Sequence, residues 1–175
     1  MEELVRRLKN GEKEAFEDIV ALLKHNLFII AIATVKDEYI ANEAIQETFI
    51  ALYLNIKKIK NAEKIECWAA SVLVNNCKRL IKKYNKNIIS FEDIKIETTF
   101  SKNEYDKIND YLDFLKIIEF LNSEERTLMT MYYMDDYTTK DIAKILKMNE
   151  NNVRSKIKRA REKIKLEKGD ENSAK

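Results

Sequence analysis

The 175-residue chain contains no proline and only two glycines. Most of the punctuation that ends strands and shapes hairpins is missing, so the reading is all-α with short, capped connections. A single histidine, His25, and the absence of any Cys-x-x-Cys spacing leave no set of metal ligands. The two cysteines, Cys67 and Cys77, lie ten residues apart on one expected helix. Ten helical residues span roughly 15 Å, beyond the ~7 Å that a disulfide tolerates. No Gly-rich phosphate loop and no His-based dyad is present, so an enzyme is not expected, nor a cofactor or a small-molecule substrate. The apolar run 27–35 is too short and too flanked by charge to span a bilayer, which argues against membrane insertion. The opening MEELVRRLKNGEKEAF lacks the apolar core of a signal peptide, so the expectation is a cytoplasmic protein. Net charge is only +2, and any surface for nucleic acid must therefore be local.

What the chain does have is helical periodicity. A short helix over residues 2–10 precedes Gly11, and a longer one from Lys13 carries Phe16, Ile19, Leu23, Leu27 and Ile30 on one side. Lys36-Asp37-Glu38 interrupts it. The next helix turns Ile40, Ala44, Ile45, Thr48, Phe49, Leu52 and Ile56 inward, and leaves Asn42, Glu43, Gln46, Glu47 and Tyr53 outside. Residues 57–64 read as a loop. A helix over 65–84 has an apolar face through Leu73, Cys77 and Leu80 and a polar face through Ser71, Asn75, Lys78, Arg79 and Lys82. Residues 88–109 lose the period and read as an acidic linker. Periodicity resumes at Tyr111, and Ser123 reads as the cap of a helix through Leu128 and Met131. The plan is two small helical domains, 1–87 and 110–168, joined by linker 88–109 and followed by a frayed polar tail, 169–175.

The most informative stretch is 138–165, TTKDIAKILKMNENNVRSKIKRAREKIK. Thr138 followed by Asp141 is a capping-box-like start. Ile142, Ala143, Ile145 and Leu146 give a short apolar helix, and Asn149 is placed to cap a second. In that second helix Val153, Ile157, Ala160 and Ile164 share one stripe, while Asn151, Arg154, Ser155, Lys158 and Arg159 lie opposite. From 147 to 168 nine Lys or Arg stand against three Glu, a local net of +6. A basic terminal helix is often only a solvated face. The capped turn and the separated faces favour a helix-turn-helix that reads DNA.

Three passages together resemble bacterial sigma factors of the extracytoplasmic-function (ECF) type. AFEDIV with IANEAIQETFIALY is similar to the family's polymerase-docking helix. ECWAASVLVNNCKRLIKK is similar to its promoter-melting helix. The passage from LNSEERTLMTMYY to NNVRSKIKRAREKI resembles its C-terminal domain. The family usually has Trp at the place of Tyr53, Pro at that of Asn122, and Gly at those of Lys147 and Asn151. If the turn at Lys147 takes a left-handed backbone, a residue other than glycine there costs roughly 1 kcal/mol.

The resemblance implies a sigma region 2 domain and a sigma region 4 domain, with core RNA polymerase, promoter DNA and an anti-sigma factor as partners. It implies that Glu43, Gln46, Glu47 and Tyr53 meet polymerase. It implies that Asn75, Lys78, Arg79 and Lys82 meet the downstream (minus-ten) element, with Lys60, Asn61 and Ala62 around a flipped base. Asn151, Asn152, Arg154, Ser155, Lys158 and Arg159 then meet the upstream (minus-thirty-five) element. Two other readings stand beside it: a stand-alone helix-turn-helix regulator that binds an operator as a dimer, and a helical adaptor with no DNA role.

Overall fold

A computed structural model describes residues 1–59, 61–84 and 111–173, with backbone only for 168–173. All regular structure among these residues is helical. The chain divides into two compact units, Met1–Ile88 and Ile89–Lys175. The segment 88–109, read above as a linker, lies outside the described residues, as does Lys60.

In the first unit α1 (Glu2–Lys9) ends where Gly11 takes φ +98°. The Glu12 N–H then reaches back to the Arg7 carbonyl at 3.1 Å, which satisfies an orphan carbonyl of the last turn. α2 (Glu14–Val35) stops at Lys36, whose φ is +53°. Asp37 starts α3 (Glu38–Asn55) by accepting from the Ile40 N–H at 2.9 Å. So short a connection forces α2 and α3 to run antiparallel as neighbours.

α2 is the central helix of this unit. From Leu27 to Ala33 every residue is buried, so the helix is covered all round by α1, α3 and the later α4. Leu27→Ala would therefore cost about 2–5 kcal/mol through lost burial and a cavity. This corrects the expectation from length: α2 as a whole, 22 residues, is long and apolar enough to cross a membrane. More than half of its apolar window is buried within the unit, the pattern of a core helix.

Residues 57–59 and 61–64 are more ordered than the loop expected. Short 3-10 turns, Ile56–Lys58 and Ala62–Lys64, flank Ile59, whose carbonyl accepts from Lys9 Nζ at 2.6 Å. α4 (Ile65–Tyr84) then lays Ile65, Ala69, Leu73, Cys77 and Leu80 against α2 and α3. Cys67 and Cys77 are both free, and burial pushes the Cys77 thiol up to about 12. Thr48, fully buried on α3, accepts from Asn76 of α4 at 3.2 Å, a polar tie between the two helices.

In the second unit residues 111–117 are helical (α5), and Leu115, Ile118 and Leu121 are buried. α6 (Ser123–Tyr133) is capped by Asn122 and not by Ser123. Asn122 has the extended backbone a cap needs, and counting from it puts Glu125 at the third helical position, where the two form a reciprocal capping box. α7 (Thr139–Ile145) starts at Thr138, which accepts from the Asp141 N–H at 3.1 Å. α8 (Glu150–Ser173) continues as helix well into the expected tail.

Candidate nucleic-acid and polymerase interfaces

The turn between α7 and α8 is built by backbone geometry. The Met148 N–H bonds to the Ala143 carbonyl at 2.9 Å and the Lys147 N–H to the Lys144 carbonyl at 3.3 Å. Lys147 sits between them in the left-handed region at φ +54°. Asn149 Oδ1 then accepts from the Asn151 N–H at 2.8 Å and opens α8. Two bonded caps within so short a span set the angle at which α8 leaves α7.

α8 has three distinct sides. Val153, Ile157 and Ala160 are buried, and Ile164 is half-buried. One flank is tied to α6 by Lys156–Glu124 at 2.7 Å and Lys163–Glu125 at 2.6 Å. Burial pushes the Glu125 carboxyl up, but the Lys163 ammonium and the Asn122 backbone N–H outweigh it and hold the group below its ordinary value. The remaining side exposes Asn151, Asn152, Arg154, Ser155, Lys158 and Arg159 together. Arg154 is paired with Glu150 at 2.8 Å, an exposed contact. Lys158 and Arg159 have no ion pair among the described residues. The local net of +6 thus overstates the free positive charge, because Lys156 and Lys163 serve packing.

In the first unit the residues assigned to polymerase and to DNA meet one another. Arg79 of α4 is ion-paired with Glu47 of α3. Lys83 reaches Glu43 at 3.2 Å, and the Tyr84 hydroxyl donates to the same carboxylate at 2.7 Å. The Tyr84 hydroxyl, with Lys83 behind it, holds the Glu43 carboxyl below its ordinary value. The sequence placed Glu43 and Glu47 on one surface and Arg79 on another; the structure makes a continuous edge of them. Lys78 and Lys82 remain exposed. Asn75 is exposed too, its Nδ2 donating to the Ser71 carbonyl at 2.8 Å, which leaves its side-chain oxygen as an acceptor. Asn61 is exposed with its side-chain oxygen committed to the Glu63 N–H at 2.9 Å, and Ala62 is half-buried.

Gln46 is exposed, and Tyr53 is 43% exposed with its ring 5.1 Å from that of Phe16. Sequence reading missed two neighbours of these residues. Ile50 is 60% exposed and Leu54 is 70% exposed, one turn apart on the outer side of α3 beyond Gln46. The available signal was an apolar residue off the buried stripe. Trp68 is half-buried, and Met129 and Met131 are core residues. No cluster of three or more His, Cys, Asp or Glu able to hold a metal occurs among the described residues.

Comparison with known proteins matches both units in order. The sigma-70 region 2 model matches residues 19–87 and the sigma-70 region 4 model matches residues 111–164. The RNA polymerase sigma-H factor of Pseudomonas aeruginosa is 24% identical over 177 residues, spanning 93% of this chain and 91% of its own. The ECF RNA polymerase sigma factor SigM of Bacillus subtilis is 23% identical over 153 residues, spanning 85% of this chain and 92% of its own. Two solved structures share the fold, each with a TM-score of 0.68. CnrH, solved in complex with the cytosolic domain of CnrY, is 17% identical and is covered over 93% of either chain. The sigma factor RpoE of Bartonella quintana, solved with the anti-sigma factor NepR, is 15% identical over 86% of this chain and 94% of its own. The chain belongs to the ECF sigma factors of the sigma-70 family, which bind core RNA polymerase and promoter DNA and leave catalysis to the polymerase.

Proposed function

We propose a division of labour among three helices. The outer face of α3, with Glu43, Gln46, Glu47 and Tyr53, docks on core polymerase, and Ile50 and Leu54 add apolar anchors to it. Carboxylates and an amide around exposed apolar side chains suit a basic partner with a hydrophobic strip. Asn75, Lys78, Arg79 and Lys82 of α4, with the segment around Asn61 and Ala62, meet the downstream element. Lys and Arg neutralise phosphates there, and Asn offers an acceptor to a base edge. Asn151, Asn152, Arg154, Ser155, Lys158 and Arg159 of α8 meet the upstream element, where Arg is the usual bidentate partner of guanine. The protein works in the cytosol, where its polymerase is.

The observation that carries this reading is the division of α8. Its apolar side buries Val153, Ile157 and Ala160, its flank is tied to α6, and its remaining side presents cations, amides and a hydroxyl with no packing duty. An anti-sigma factor that covers the α3 face is the partner class this reading adds, and one structure of similar fold was solved with an anti-sigma factor. Run-off transcription with purified core polymerase on genomic templates tests the assignment. The expected result is a small set of discrete transcripts absent with core alone. A gel shift separates the operator-binding alternative: tight, specific binding by the isolated chain favours that regulator, and weak binding supports the sigma reading.

A further inference from the structure

α8 carries one more outward arginine. Arg161 lies seven positions beyond Arg154 and so on the same side of the helix. It is exposed, yet it is held. Its Nε donates to the Tyr133 hydroxyl. Its guanidinium carbon lies 5.4 Å from the centre of the Tyr133 ring and 5.7 Å from that of Tyr132. Those rings contact each other edge to face at 5.0 Å, and Tyr133 also meets Phe114 of α5 at 6.4 Å. A surface arginine with one nitrogen anchored and its guanidinium carbon beside two rings has lost much of its rotamer freedom before anything binds.

With Arg154, Tyr132, Thr138, Thr139 and Ile157, Arg161 lines an open cavity of about 510 Å3 beside the start of α7. Glu150 offsets Arg154 and takes the Thr139 hydroxyl at 2.7 Å, and Asp141 takes the Thr138 hydroxyl at 2.5 Å. No carboxylate pairs with Arg161 among the described residues. The cavity therefore keeps one uncompensated guanidinium, whose Nη groups suit an anion with several acceptor oxygens. The bond to Tyr133 uses only Nε, so the Nη groups stay available at the cavity mouth while the side chain is held in place.

We propose that Arg161 grips a backbone phosphodiester of the upstream promoter DNA, and so sets the register at which the exposed face of α8 meets the base edges. This rests on the reading of α8 as the upstream-element helix. Tyr132 and Tyr133 are positioning residues, which hold the guanidinium at the cavity mouth.

The test uses reconstituted holoenzyme and a promoter obtained by run-off transcription, with binding measured against salt on that promoter and on its upstream-element variants. R161A should weaken binding about three- to tenfold on every variant and lower the slope of log affinity against log salt by about 0.9, the release of one phosphate's counterion. R161K should keep the slope and recover part of the affinity. Y133F should weaken binding less than R161A and leave the slope as in the wild type. Circular dichroism and retained polymerase binding check that the variants fold. An unchanged slope in R161A, or an altered ranking of the upstream variants, overturns the proposal. If R154A and R159A affect upstream dependence while R161A does nothing, the phosphate grip alone falls. If none of the three matters, the reading of α8 falls with it.

Discussion

The outward cations of α4 and those of α8 live in different electrostatic company. On α4, Arg79 and Lys83 rest against Glu47 and Glu43, carboxylates of the neighbouring face proposed to dock on polymerase. On α8, Lys158 and Arg159 stand clear, Arg154 pairs only with Glu150 of its own helix, and Glu124 and Glu125 hold a flank that faces α6. The α8 face is thus offset only from within its own helix, while the α4 face is partly satisfied by the surface expected to dock polymerase. A partner that takes Glu43 and Glu47 would release Arg79 and Lys83 toward DNA. Weak DNA binding by the free chain, with binding gained on polymerase, follows from that arrangement, together with a net charge of only +2.

Four measurements break or sharpen this contrast. The largest effect should come from α8. Arg154→Ala and Arg159→Ala should each leave stability within about 0.5 kcal/mol, since both are exposed. Whichever makes a bidentate base contact should lose roughly 1–3 kcal/mol at the upstream element. A pre-melted template should leave that defect in place and partly rescue Asn75→Ala, whose helix is proposed to serve the melted strand. Transcription on duplex and bubble templates decides, and equal responses to the bubble would end the proposed division of labour.

The second concerns a carboxyl that has no hydrogen bond among the described residues. Both carboxylate oxygens of Asp135, between α6 and α7, are buried without a hydrogen bond. Burial, with Asp136 beside it, pushes the Asp135 carboxyl up to about 7. The folded state therefore holds this proton more tightly than the unfolded chain does. Its stabilising contribution is complete below the ordinary value of 3.8 and is lost as pH rises through about 7. The second unit should be less stable at about pH 8 than at about pH 5.5, by on the order of 2 kcal/mol. Hydrogen exchange of the α6 amides reads this, and Asp135→Asn should abolish the difference.

Lys147→Gly should stabilise the second unit by roughly 1 kcal/mol, because glycine takes the left-handed turn without a side-chain clash. Thermal unfolding checks it, and a destabilised variant would mean that the Lys147 side chain contributes to the turn. The smallest effect is expected where the contrast began. Glu43→Gln with Glu47→Gln should raise DNA binding by the free chain roughly two- to fivefold, the scale of exposed ion pairs. The same variant should weaken polymerase binding. A gel shift and a polymerase pull-down measure the two arms; unchanged DNA binding would show that the α3 carboxylates do not restrain α4.

Much of the site was legible because helical period and cap chemistry are local. Thr138, Asn149 and the stripe Val153, Ile157 and Ala160 need only their own neighbours in sequence to be recognised. The same local reasoning misjudged Ser123, because Asn122 and Glu125 together make a better cap than Ser123 does. It also read 57–64 as a loop, where Lys9 and two 3-10 turns hold the backbone. Lys156 and Lys163 looked like part of a DNA-facing cluster, since charge counting along a chain cannot tell which flank meets α6.

By itself the sequence determined the all-α class, the helix-turn-helix and the polar side of α8, since capping and a 3.6-residue period depend on residues a few positions apart. Only the tertiary structure decided which charges are free. Glu47 and Arg79 are 32 residues apart, and Tyr133 and Arg161 are 28 apart. Contacts over such distances are set by how helices pack, and the same packing left Ile50 and Leu54 uncovered on α3 and the carboxylate oxygens of Asp135 buried without a hydrogen bond.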